Sequence, residues 1–322
     1  MLMTATLIGI KLGFSLLDNF IDNKVSCHFI GKNYEIKKFL EVLTMKLFIA
    51  VAIFAAILSF VACADDNQAA VATGAGPQAV DGITTIRIGA TPRPHMEILQ
   101  YIQPYLLEDG VALELVEFTD FFVVNPAVAD GTLDANYFQH TPFLNASPYA
   151  DVLYMMGLVH IEPMGLYSLT MTCMGCLPDG GVIAIPNDAT NGGRALLLLE
   201  ANGIIELDPA AGILATPFDI THNPRNIQFH ELDAALLPRL LEDPTIDAAI
   251  INTNHVLAGT DLSPMYDSIL IESHISPYGN GLAIRRAEAD NPAFITLLSH
   301  LQSERVRQFI YDQYGGAVVP VF

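Results

Sequence analysis

VIAIPNDATNGGRALLLLEAN, residues 182–202, decides the fold. Val182–Pro186 is a short apolar run closed by turn residues, which reads as a buried strand. Gly193–Asn202 carries leucines at helical spacing. A strand that passes through a polar turn into a helix is the building unit of an α/β protein with mainly parallel strands. Upstream, Thr84–Ala90 alternates as a strand, and His95–Glu108 has helix spacing and stops before Gly110. Ala112–Phe118 is a strand, Asn125–Asp130 a short helix stopped at Gly131, Leu133–Phe138 a strand, and Leu158–Leu166 a further extended run. Downstream, strands at Ile227–Leu232 and Ile246–Ile251 flank a helix over Ala234–Glu242. Asn291-Pro292 supplies a cap and an N1 proline for a C-terminal helix.

A short motif recurs. Asp130–Ala135 (DGTLDA) and Asp243–Ala248 (DPTIDA) each sit between a helix and an apolar strand. Either this is coincidence, or two similar α/β units present equivalent strand ends to a common cleft. In open α/β sheets ligands lie beyond the carboxyl ends of strands. The first copy leads into Phe138–His140 and the second into Asn252.

The chain has 322 residues, 52% apolar and only 16% charged, enough to bury a large core. Its net charge of −20 repels phosphate backbones, which argues against nucleic acid as a partner. All six lysines lie in the first 46 residues, and from Cys63 onward 31 acids face nine arginines. Residues 45–63, MKLFIAVAIFAAILSFVAC, have the Met-Lys start, apolar run and small residues of a secretory signal. The run is shorter than the roughly 20 residues of a membrane span. Ending in Ala62-Cys63 it resembles a bacterial lipobox, with Phe60 where Leu is usual; a plain signal anchor is the other reading. On this basis residues 1–44 are a mis-called upstream segment or a leader, 45–62 the signal, and 63–82 a lipidated tether. Cys173 and Cys176 lie in a Gly/Pro-bounded loop, where a structural or incidental pair, free to form a disulfide outside the cytoplasm, competes with a redox or metal motif.

No Walker loop, dinucleotide fingerprint, zinc-protease helix or nucleophile elbow is present, and the nine histidines show no ligand-like spacing. No cofactor or metal is expected. Asn191-Gly192-Gly193-Arg194 reads as the start of a helix, whose free N–H groups attract anions, with an arginine fork in the first turn that fits a carboxylate. The plainer reading of Arg194 is an ion pair with a nearby acid. Phe121, Phe122 and Phe138-Gln139-His140 follow strands and are either core or the wall of an apolar slot.

Eight segments carry a family resemblance: GATPRPHMEIL (89–99), VEFTDF (116–121), DGTLDANYFQHTPFL (130–144), VHIEPMGLYS (159–168), IAIPNDATNGGRALLLLE (183–200), LPRLL (237–241), SPYGN (276–280) and YGGAVVPVF (314–322). The chain resembles the methionine-binding NLPA lipoproteins of bacterial ABC importers. That resemblance implies a two-lobed periplasmic-binding-protein fold of type II, with crossovers near Pro163–Tyr167 and Ser276–Asn280. Lobe 1 would be 83–164 plus 279–322, and lobe 2 would be 165–278. It also implies methionine or a related amino acid as ligand, an ABC permease with its ATPase as partner, and an extracytoplasmic, lipid-anchored location. Carried onto this sequence, Arg194 meets the ligand carboxylate and Asn191 adds a polar contact. Asn252 and Asn280 hold the polar end, and Phe138 and His140 flank the side chain. Phe121 stands where a tyrosine is usual, so a phenol is lost. An enzyme on the same fold, with His140 as its base, and an adhesion lipoprotein with a vestigial pocket are the competing classes.

Overall fold

The computed structural model describes residues 76–322, so the expected leader, signal run and Cys63 lie outside the described residues. The chain opens with β1 (Ala79–Val80), β2 (Ile83–Ala90), α1 (Glu97–Glu108), β3 (Val111–Glu117), α2 (Val124–Ala129), β4 (Ala135–His140), α3 (Thr141–Ala146) and β5 (Leu153–Ile161). It continues through β6 (Gly165–Tyr167), β7 (Val182–Pro186), α4 (Ala189–Ala201) and a small hairpin of β8 (Glu206–Leu207) and β9 (Ile220–His222). Next come β10 (Gln228–Leu232), α5 (Leu237–Leu240), β11 (Ala248–Ile251), α6 (Thr253–Gly259) and β12 (Leu270–Ile271). The end is β13 (Gly279–Arg285), α7 (Pro292–Leu301), α8 (Glu304–Tyr314) and β14 (Val319–Pro320).

Two sheets result. The first runs β1-β2-β4-β13-β5-β14 with β3 also paired to β2, and the second runs β10-β7-β11-β6-β12. The chain crosses from the first to the second at 162–164 and returns at 272–278. The expectation of mainly parallel strands is corrected. Only the strands joined by helices are parallel, β2 with β3 and β4, and β7 with β10 and β11. The strands on either side of the crossovers, β5 and β12 leaving a sheet and β6 and β13 entering one, pair antiparallel.

Local chemistry explains the elements. In β2, Ile86 and Ile88 are fully buried, and they meet Ile98, Leu99 and Ile102 on one face of α1 and Phe294 and Leu297 of α7. Gly110 follows α1 at φ +74, a conformation that costs other residues a steric penalty. In the second sheet Ile183, Ile185 and Ile250 pack on Leu196 and Leu199 of α4. Full burial of each such side chain stabilises the fold by about 1.5–3 kcal/mol. Other boundaries move by tertiary context. The run expected over Leu158–Leu166 breaks where the chain changes sheet, and the helix expected over Ala234–Glu242 is a 3-10 turn followed by the short α5.

The repeated motif has a structural basis. Asp134 N–H donates to Arg87 O at 2.8 Å, and its Oδ2 accepts Arg87 N–H at 2.8 Å. Asp247 N–H donates to Val182 O at 3.0 Å, and its Oδ2 accepts Val182 N–H at 2.8 Å. Asp130 and Asp243 likewise each cap the N–H two residues on, at Thr132 and Thr245. Each copy locks the last parallel strand of its unit onto the first, so the two sheets repeat one β-α-β-α-β plan.

Candidate functional site

The carboxyl ends of the parallel strands supply the site. From the first sheet, β3 leads to Phe121, and β4 ends at Phe138-Gln139-His140. From the second, β7 leads into α4 with Asn191 and Arg194, and β11 into Asn252-Thr253-Asn254. Glu162 enters from the first crossover, and Asn280 from β13 just after the second. All seven residues singled out in the sequence (Phe121, Phe138, His140, Asn191, Arg194, Asn252 and Asn280) line one cavity, with Gln139, Phe143, Glu162, Thr253 and Asn254. The space at its centre is about 20 Å3, room for a water rather than an amino acid, so these walls must part to admit one.

The polar wall differs from the expectation in two respects. Helix α4 starts at Ala189, not Gly193, because Asp188 caps it by accepting Asn191 N–H at 2.9 Å. Its first turn is thus already faced by a carboxylate and is not an anion site. Gly192 and Gly193 serve packing: a Cβ on Gly193 would lie 2.4 Å from Ile213 O. Arg194 is 3% exposed, and its fork already holds a carboxylate, with Nε 3.1 Å from Glu272 Oε1 and Nη2 2.5 Å from Oε2. Nη2 also donates to Glu162 O at 2.8 Å, and the Tyr278 ring lies 4.2 Å away. Among the described residues Nη1 has no acceptor, so it is the part of the guanidinium left for a ligand.

Asn191 is spent within the protein. Its Nδ2 donates to Asp188 Oδ2 at 2.9 Å, and its Oδ1 accepts from Asn252 Nδ2 at 2.8 Å. That bond turns Asn252 Oδ1 away, and this buried oxygen has no partner among the described residues. An orphaned buried acceptor costs roughly 1–3 kcal/mol, which a donor from a ligand would recover. His140 Nδ1 accepts Phe143 N–H at 3.0 Å, so the neutral ring carries its proton on Nε2, 3.2 Å from Asn191 Oδ1. Burial, and secondarily Arg194, holds the His140 pKa down at about 3. With its lone pair used, His140 is a poor general base.

The apolar wall is a cluster of rings. Phe121 lies 5.8 Å from Phe138, 6.0 Å from Phe143 and 4.8 Å from His255, between centroids. His140 meets Tyr278 edge-on at 5.1 Å. Phe143, His255, Tyr278, Glu162 and Glu272 were not found from the sequence. Phe143, Glu162 and Tyr278 carried a signal, lying inside quoted segments, the first three residues after His140 and the other two at the expected crossovers.

Behind the cavity, His95, His160 and Glu162 come together although no spacing announced it. His160 Nε2 is 2.8 Å and His95 Nε2 3.2 Å from the same oxygen, Glu162 Oε1. Of these contacts only that of His160 is an aligned hydrogen bond; His95 Nε2 has no aligned partner among the described residues. Away from the cavity, Cys173 and Cys176 form a disulfide in a 3-10 turn, Cα atoms 5.4 Å apart.

Residues 86–322 match the model of the NlpA lipoprotein family. The chain is 37% identical over 255 residues to the methionine-binding lipoprotein MetQ of Bacillus subtilis, covering 78% of this chain and 93% of that one. It is 37% identical over 241 residues to the membrane lipoprotein TpN32 of Treponema pallidum, covering 73% and 88%. A solved nutrient-binding protein of Burkholderia cenocepacia bound to methionine superposes with a TM-score of 0.70 at 40% identity, over 74% of this chain and all of that one. With its two sheets, two crossovers and a cavity between strand ends, the chain has the two-lobed periplasmic-binding-protein fold and belongs to the NlpA lipoprotein family.

Proposed function

We propose that this protein captures methionine, or a close relative, between its lobes 83–164 plus 279–322 and 165–278, and delivers it to an ABC permease and its ATPase. The observation that carries the reading is the pattern of buried polarity. A cation with its Nη1 amino group free, Arg194, and two buried acceptors, Glu162 and Asn252 Oδ1, face one cavity whose remaining wall is aromatic. Burying a zwitterion is costly unless both charges meet partners, and these residues supply them. Asn280 and Asn252 hold the ammonium end with Glu162, Arg194 takes the carboxylate, and Phe121, Phe138, Phe143 and His140 enclose the tail. Thioether sulfur gains about 0.3–1.5 kcal/mol against an aromatic ring. The likeness to methionine-binding relatives supports the same ligand.

The two crossovers act as the hinge, and both grip Arg194, one through Glu162 O and the other through Glu272. Methionine has about nine heavy atoms, so a ceiling of about −1.5 kcal/mol per atom limits binding to about −13 kcal/mol. Kd values from micromolar to nanomolar, about −8 to −12 kcal/mol, lie beneath it. Acylated Cys63 tethers the protein outside the cytoplasm; an intact mass without acyl chains on Cys63 contradicts the anchor. A thermal-shift screen of the twenty amino acids tests the function. A selective rise in Tm with methionine supports it, turnover of any compound would indicate an enzyme, and no shift with any would leave an interaction lipoprotein.

A further inference from the structure

We propose that His160, with His95 beside it, is a positioning residue for ligand capture: the two rings converge on one oxygen of Glu162 and hold that carboxylate, charged and aimed, against the ligand's ammonium group. The proposal rests on the reading of the cavity as an amino-acid site.

The three side chains form a closed unit. Glu162 is 5% exposed, His160 is fully buried and His95 is 1% exposed. His160 Nε2 bonds Glu162 Oε1 at 2.8 Å, while its Nδ1 is 2.5 Å from the Tyr137 hydroxyl. A carboxylate can only accept, so Nε2 carries the proton, Nδ1 is the acceptor, and Tyr137 donates to it. His95 is arranged the same way, with Thr91 Oγ1 2.7 Å from Nδ1. Its Nε2 lies 3.2 Å from Oε1 but makes no aligned bond there. Tyr137 therefore sets the His160 tautomer and aims its N–H at Oε1, while the His95 ring closes the other side of the same oxygen.

The consequence falls on the other oxygen. Oε1 is occupied from behind, and Oε2 has no side-chain donor among the described residues, while Glu162 lines the cavity. Burial pushes the Glu162 carboxyl up towards its neutral form, and His95, Arg194 and the Asn254 peptide push it back down. A protonated Glu162 would be a poor partner for an ammonium; a charged one gives a charge-assisted bond. Glu162 also fixes the far end, since its carbonyl oxygen holds Arg194. One residue thus spaces the carboxylate and ammonium partners.

The test compares methionine with its des-amino analogue, 4-(methylthio)butanoate, by calorimetric titration of wild type, His160→Leu and His160→Gln. Wild type binding methionine is the premise; if it binds neither compound, the amino-acid reading itself fails and this inference with it. Given that premise, His160→Leu weakens methionine by about 10-fold or more, as expected for loss of a charge-assisted contact. The analogue, lacking the ammonium, changes by less than about 3-fold, and His160→Gln, which keeps an N–H donor, stays near wild type. Equal loss for both compounds, or unchanged methionine affinity in His160→Leu, overturns the proposal. Should His160→Leu not fold, Tyr137→Phe, which frees the tautomer of His160, is read in its place, with selective loss of methionine supporting and equal or no loss overturning.

Discussion

At the scale of single residues, selectivity and affinity separate. In the proposed binding mode Arg194, Glu162 and Asn252 meet groups common to every amino acid, so there they set affinity without choosing among side chains. Arg194→Ala removes the buried partner of a charge and leaves Glu272 with only the long bond from Met164 N–H. Truncating one member of such a pair costs about 2–5 kcal/mol, so methionine affinity falls by about 30-fold or more by titration. Tm falls too, because Glu272 loses its guanidinium. Unchanged affinity would remove Arg194 from the site. Choice belongs to the rings. One methylene is worth about 1–3 kcal/mol in an apolar pocket, so leucine binds about 10- to 200-fold more weakly than methionine. Phe138→Ala narrows that gap in competition titrations; equal affinity in wild type contradicts the aromatic slot. Of these residues, the seven named from family likeness all reach the cavity, yet their bonding was not legible. A sequence shows that Asn191 and Arg194 are three apart, not that Asp188 and Glu272, 84 positions apart, each claim one of them.

At the scale of elements, hydrophobic period located β2, β3, β4, β7, α1 and α4, because burial sets the period directly, but it missed β13, which is buried on both faces and so shows no period, and α8. Ends were misplaced where a side chain outbid propensity. Asp188 pulled the start of α4 four residues forward, and the crossover at 162–164 cut an apolar run in two. Antiparallel pairing was hidden because β13 returns from the second crossover to lie between β4 and β5, far away in sequence, which no local pattern records. The repeated motif, by contrast, was legible as a pair of equivalents. It also yields a comparison: Asp134 and Asp247 make the same two bonds, but the bond from Val182 is more buried than that from Arg87. An orphaned buried N–H costs about 1–3 kcal/mol, so Asp247→Ala lowers stability by that amount in urea unfolding, and Asp134→Ala by less. The reverse order would show that the two motifs are not equivalent in role.

At the scale of the whole protein, four buried histidines couple the fold to pH. Burial lowers His95, His140 and His160 to about 3 and His255 to about 4, from an ordinary 6.5. Each is neutral when folded, whereas the unfolded chain takes up the proton near pH 6.5. The unfolded state therefore binds more protons between about pH 6.5 and 3, and stability is lost as pH falls through that window. Glu162, raised by burial, works in the opposite direction but is one group against four. At pH 5.5 each histidine costs about 1 kcal/mol. Tm at pH 5.5 should lie about 10 °C below that at pH 7.5 and change little from 7.5 to 8.5. A Tm that does not fall on acidification contradicts neutral, buried histidines. The lobes, cavity and charge placement converge on one claim, that the cleft closes on a methionine zwitterion. Titration of methionine into ligand-stripped wild-type protein in a calorimeter tests it most directly. The account predicts one site per chain with a Kd between micromolar and nanomolar, and at least about 10-fold weaker binding of leucine. Absence of heat and of competition by methionine at millimolar concentration would contradict it.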